Sequence, residues 1–187
     1  MGSATLRIRL LGELDLRHGQ AALAPLGSAR AGDHRTASLS SRRATVFPGP
    51  HTLTAQPGPP VPCAPPGAFL LDPSPAVTRA GLVETLARDL GAWKLDPRIA
   101  FLSADQPMRS PFGRLLGVDA SLPWNLKRLR QVLRERGVGT VEVRKRGSAV
   151  DAADLTTRLR LRGDAAAVVV LTRVADRPWA LVCTEER

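Results

Sequence analysis

The chain has 187 residues, of which 43% are hydrophobic, enough for one packed domain and too few for a multidomain machine. Only 4% are aromatic and tyrosine is absent, so aliphatic side chains must fill the core and recognition by stacked aromatic platforms is disfavoured. Lys+Arg 27 against Asp+Glu 17 gives a net charge of +10, a balance that favours polyanionic partners over small charged substrates. The total alone is a weak argument, because arginine beside abundant Ala, Gly and Pro is also what coding bias produces. Its distribution says more: residues 121–162 carry 11 basic and 4 acidic side chains, while residues 61–120 carry 6 of each.

In chain order, 5–11 (TLRIRLL) alternates apolar and basic residues as a strand does, and 13–17 (ELDLR) can pair with it. Residues 28–43 hold almost no large apolar side chain and read as a loop, followed by a short strand at 44–47. Eight of the sixteen prolines fall within 48–66, a stretch that can neither donate regularly to a ladder nor continue a helix. This places a domain boundary there. Residues 1–66 are expected to be short strands, loop and Pro-rich linker, and 67–187 the compact domain.

A strand is expected at 67–71. Ser74 then caps a helix with Pro75 at its first position, Ala76, Ala80, Val83, Ala87 and Leu90 on its buried stripe and Gly91 as its stop. Residues 98–103 and 114–122 read as strands. A second helix follows Asn125 and ends at Gly137, with Leu126, Leu129 and Leu133 inward. A strand at 138–146 comes next, then a third helix capped by Asp151 and stopped by Gly163, and finally strands at 165–174 and 179–184 around a turn at 175–178. The sum is an α/β domain with a mixed sheet and about three helices.

Cys63 and Cys183 are too few and too far apart for a metal cluster or a disulfide framework, which points to reduced thiols and a cytoplasmic address. Arg7 and Arg9 interrupt the apolar run at the start, and no stretch approaches the length of a membrane span, so no membrane partner is expected. His18, His34 and His51 lack metal-ligand spacing, no Gly-x-Ser-x-Gly elbow occurs, and no catalytic or metal-binding residue is assigned.

The order of residues in 73–83 (PSPAVTRAGLV), 95–102 (LDPRIAFL), 143–147 (VRKRG) and 159–173 (LRLRGDAAAVVVLTR) resembles the THUMP-like domain at the C-terminus of a bacterial class I S-adenosylmethionine-dependent methyltransferase family. The resemblance covers about 67–187, extends to 44–55 as the segment linking to a catalytic core, and is loose over 1–43. It implies a relative of the RNA-binding modules of tRNA-modifying enzymes. The partners so implied are structured RNA of the tRNA type and a methyltransferase catalytic domain, in cis in relatives or in trans here.

The cofactor part of that family is missing from the pattern. S-adenosylmethionine belongs to the full-length family, and its Gly-rich strand-turn-helix with a following acidic strand end does not occur, so no cofactor and no activity are expected of this chain alone. Asp72-Pro73-Ser74-Pro75 lacks the aromatic of the amino-methyltransferase signature and fits a helix start better. The chain therefore reads as the C-terminal part of the family, a truncated product or a stand-alone piece.

The basic cluster is the candidate site. Lys127, Arg130 and Arg134 share a helix stripe, Arg144, Lys145 and Arg146 lie on the next strand with Arg144 and Arg146 on one face, and Arg158, Arg160 and Arg162 form a third basic element. Three adjacent basic elements could track an RNA backbone, since guanidinium groups bind phosphates bidentately. The alternative is a structural or protein-interaction domain whose charges are solvated surface paired locally, as Asp154 with Arg158. Arg79 falls within the apolar stripe of the first helix, where pairing with Asp72 is the favoured reading. Trp93, Trp124 and Trp179 sit at element ends and read as core edges.

Overall fold

The computed structural model describes residues 42–186. The strands expected at 5–11 and 13–17, and the loop expected from 28 up to residue 41, lie outside the described residues. A hairpin of β1 (Arg43–Val46) and β2 (His51–Thr54) opens the structure. A seven-stranded sheet follows, built from β3 (Phe69–Pro73), β4 (Trp93–Lys94), β5 (Leu102–Ala104), β6 (Gly113–Pro123), β7 (Val138–Lys145), β8 (Ala165–Val174) and β9 (Arg177–Glu185). Their spatial order is β4-β5-β3-β6-β9-β8-β7. Every pairing is antiparallel except β7 with β8, whose connection carries a helix as parallel neighbours require.

Four helices form among the described residues, the first of the three expected being divided in two: α1 (Pro75–Arg79), α2 (Val83–Leu90), α3 (Leu126–Glu135) and α4 (Ala152–Leu159). The helix read as continuous over 76–90 is broken at Gly81, whose φ of 65° is left-handed, and Leu82 N–H bonds back to the Val77 carbonyl. Both halves keep their apolar positions on the core because Leu82 itself is fully buried at the break. The Ser74 hydroxyl accepts from Val77 N–H, Asn125 Oδ1 from Arg128 N–H and Asp151 Oδ1 from Asp154 N–H, the caps that the sequence marks. α4 ends at Arg160 rather than at Gly163, with Arg160 in the left-handed region at φ 47°.

The registers assign the two sheet faces. Leu71, Leu115, Val182, Ala180, Val169 and Leu171 lie on one, under all four helices: Val77 and Leu86 pack on the β3–β5 end, Leu129, Leu133, Leu155 and Leu159 on the β7–β9 end. Leu70, Leu116, Cys183, Leu181, Val168 and Val170 lie on the other, against Leu95, Ile99 and Phe101 of the β4–β5 connection. That connection turns at 95–98, with Ile99 N–H bonded back to the Asp96 carbonyl, so of the strand expected at 98–103 only the end pairs, as Leu102–Ala104. Buried Asp96 holds the rest, accepting from Arg98 N–H at 2.9 Å and from Asp176 N–H at 2.8 Å. Those backbone donors, the Arg98 bond foremost, outweigh burial and hold the Asp96 carboxyl below its ordinary value.

The Pro-rich stretch is strapped onto α2 and β4. Prolines supply carbonyls but no N–H, so most donors come from opposite: Arg88 Nη1 to Pro59 O at 3.1 Å, Arg88 Nη2 to Gln56 O at 2.8 Å, Trp93 Nε1 to Pro65 O at 2.9 Å and Lys94 N–H to Pro62 O at 3.0 Å, while Ala64 N–H donates back to Lys94 O at 3.0 Å. Ala44, Leu53 and Val61 join the same core cluster as Leu71, Val77 and Leu86.

Candidate nucleic-acid interface

Four strand-to-strand steps separate β3 from β7, about 19 Å in a flat sheet. Yet Arg144 Nη1 of β7 lies 2.9 Å from Asp72 Oδ2 of β3, and Arg146 Nη2 lies 2.8 Å from Asp72 Oδ1. The sheet therefore curls, with the Phe101 face inside. Arg146 also donates to Pro73 O at 2.9 Å and stacks over the Phe101 ring at 5.3 Å. Arg114 of β6 spans to Glu142 of β7 at 2.9 Å and to Glu185 at 2.8 Å, and Arg144 adds a second bond to Glu142 at 2.8 Å. Burial pushes the Glu142 carboxyl up, but the bonds from Arg114 and Arg144 prevail and hold it low.

This network corrects the geometry of the basic cluster. Arg144 and Arg146 do share a strand face, as the period of two dictates, but it is the inner face, opposite the helices, where carboxylates meet both. They tie strand to strand and are not free cations. Arg79 is exposed, not buried against Asp72, because the break at Gly81 turns its short helix. The sequence carries one signal of this, Glu142 two residues before Arg144: a carboxylate on the same face announces internal pairing.

The other candidates gather on the helical side. Lys127 and Arg134 are exposed on α3, and Arg128, not singled out from sequence, is exposed beside them. Arg130 is half-buried, donating from Nη2 to the Arg158 carbonyl, and Arg134 Nη2 reaches the Arg160 carbonyl at 3.3 Å. Both satisfy orphan carbonyls at the C-terminus of α4, where a cation also meets the helix dipole. Arg158 pairs with Asp154 at 3.2 Å, and Lys145 donates to Val150 O at 3.2 Å. Arg160 and Arg162 are exposed, and with Arg134 they line a cleft of about 540 Å³.

Residues 113–185, spanning β6 to β9 with α3 and α4, match the family model described as THUMP domain-like. The chain carries a THUMP-like domain. It is 41% identical over 127 residues to proteins of Mycobacterium tuberculosis strains CDC 1551 / Oshkosh and ATCC 25618 / H37Rv, each named an uncharacterized S-adenosylmethionine-dependent methyltransferase. The match covers 66% of this chain and 35% of each relative, so the chain spans about a third of their length. A solved structure from Porphyromonas gingivalis W83, named as a methyltransferase, aligns with a TM-score of 0.60 at 20% identity over 76% of this chain and 36% of that one. At that identity the likeness concerns the fold. The α/β mixed sheet read from sequence is consistent with a THUMP-like domain, and β1 to β5 with α1 and α2 precede the matched residues.

The relatives' names raise the question of S-adenosylmethionine, which the described residues do not fit. β3 runs into α1 through Asp72-Pro73-Ser74-Pro75, where two prolines remove the N–H donors a cofactor turn supplies, and β7 runs to α4 through a stretch with one glycine, Gly147. No group of three or more His, Cys, Asp or Glu able to hold a metal occurs among the described residues. No helix among them is long and apolar enough to cross a membrane.

Proposed function

We propose that the THUMP-like domain binds structured RNA, of the tRNA type, through the outer layer formed by α3, α4 and residues 160–162, and positions it for methylation by a separate catalytic domain. The observation that carries this reading is the sorting of charge between faces. Inside the curl, Arg114, Arg144 and Arg146 meet Asp72, Glu142 and Glu185. On the helical side, Lys127, Arg128, Arg134, Arg160 and Arg162 have no acidic side chain within ion-pair distance among the described residues. Fixed cations clustered on one surface attract a phosphate backbone, and residues 113–185, which match the THUMP domain-like family model, include this surface.

The test is fluorescence anisotropy with tRNA and with duplex DNA across a salt series, on the wild type and on a Lys127→Gln/Arg134→Gln/Arg162→Gln variant. Tighter binding to tRNA is expected, and the triple variant should lose affinity with the salt slope reduced by about 0.7–0.9 per lost phosphate contact. Equal affinity and slope in a folded triple variant would remove this face from the interface, and no tRNA binding by the wild type would overturn the RNA reading itself.

A further inference from the structure

We infer that the cleft between α3 and the segment following α4 is a site for a phosphate monoester, held by Arg134, Arg160 and Arg162. The inference rests on the reading of the helical side as the nucleic-acid face where the monoester is an RNA end, and stands apart from it where the ligand is a free phosphorylated molecule.

Three guanidinium groups line this cleft of about 540 Å³, and no carboxylate lines it. The contrast is a second arginine cleft inside the curl, about 340 Å³, lined by Arg98, Arg146 and Arg173. There every guanidinium already faces an acid: Arg98 meets Asp96 and Asp176, Arg173 meets Asp176, and Arg146 meets Asp72. Converging like charges repel, so the outer cleft holds a charge excess that an anion relieves. Its backbone is fixed in advance. Arg160 is a non-glycine residue held at φ 47° and ψ 52°, and its carbonyl is tied to Arg134. Gly163 packs backbone to backbone on the start of β7: a Cβ on Gly139 would meet the Gly163 oxygen at 1.8 Å, and one on Gly163 the Gly137 oxygen at 2.1 Å. This contact sets where the 160–163 segment leaves the sheet. The α4 carbonyl end, which would disfavour an anion, is already met by Arg130 and Arg134.

The charge identifies the ligand class. A diester within a strand brings one negative charge per phosphate, whereas a monoester brings about −1.5 to −2 at pH 7 and three acceptor oxygens, closer to what three guanidinium groups require.

The experiment compares one RNA hairpin, labelled at its 3′ end, with a 5′-phosphate and with a 5′-hydroxyl, with inorganic phosphate as competitor. Wild-type protein, Arg162→Gln and Arg160→Gln/Arg162→Gln are compared, with circular dichroism confirming their fold. The 5′-phosphate should strengthen binding about tenfold, inorganic phosphate should erase that advantage, and each variant should shrink it, the double variant to nothing. Equal affinity for both hairpins overturns the monoester site while leaving the RNA reading intact. If neither hairpin binds, that reading falls, and thermal shift with inorganic phosphate decides the rest: stabilisation of wild type but not of the double variant supports a free phosphorylated ligand, and no stabilisation overturns the site.

Discussion

Asp72 on β3 and Arg144 on β7 are four strands apart in the sheet and 2.9 Å apart in space. Asp72 is buried and receives Arg146 as well, so one carboxylate answers two guanidinium groups across the open side of the curl. Removing one partner of such a set leaves charge facing low-dielectric surroundings, which costs more than the pair itself contributes.

Asp72→Asn should therefore destabilise the fold by about 2 kcal/mol, less than a fully buried pair because Arg144 and Arg146 keep contact with water. Urea unfolding followed by tryptophan fluorescence measures it. A change below about 0.5 kcal/mol, the range of ordinary surface substitutions, would mean that the strands are held by packing alone.

Glu142 sets the pH dependence of the same network. Its folded value lies below its ordinary 4.5, so its contribution is fully present above that value and is lost as pH falls through the lower, folded one. The gap in urea midpoint between wild type and Glu142→Gln should be widest near pH 7 and should close as pH drops below 4.5. A gap that is constant from pH 7 to pH 3 would show that Glu142 acts through shape and not through charge.

Gly137 and Gly139 separate conformational strain from steric clash. At Gly137 φ is 63° and a Cβ would meet nothing within 4 Å, so Gly137→Ala should cost about 1–2 kcal/mol. At Gly139 the Cβ would overlap backbone at 1.8 Å, and Gly139→Ala should cost about 3 kcal/mol or more because β7 and the 163 turn must separate. Equal melting temperatures for the two variants would contradict the close approach.

The Pro-rich strap bears on where the folding unit begins. Because Ala44, Leu53 and Val61 sit in the core and Arg88 holds the carbonyls of Gln56 and Pro59, a unit reaching back to about residue 42 is proposed in place of one starting at Gly67. Limited digestion of the full chain with a broad-specificity protease should spare residues 48–66, and Arg88→Ala should open them to cleavage. Rapid cutting there in the wild type would restore the boundary before Gly67.

Much of this protein was written locally. Ser74, Asn125 and Asp151 each cap a helix through a bond to a backbone N–H three residues on, and the Ala175-Asp176 turn joins β8 to β9 with both residues at positive φ. Such features need only neighbours in sequence, and the apolar runs at 165–174 and 179–184 on either side of a turn were enough to place the last two long strands. What the chain could not declare locally was which faces meet. The period of two put Arg144 and Arg146 together, but whether that face looked outward or into a curl depended on strand order and on Asp72 arriving from 72 residues away. Likewise the helix pattern over 76–90 continues through Gly81, and the break follows from burying Leu82 between two segments, a tertiary gain that outweighs the lost helical turn. Helix caps and strand periods are decided by bonds between near neighbours, whereas the sign of a surface is decided by the charges that distant strands bring to it.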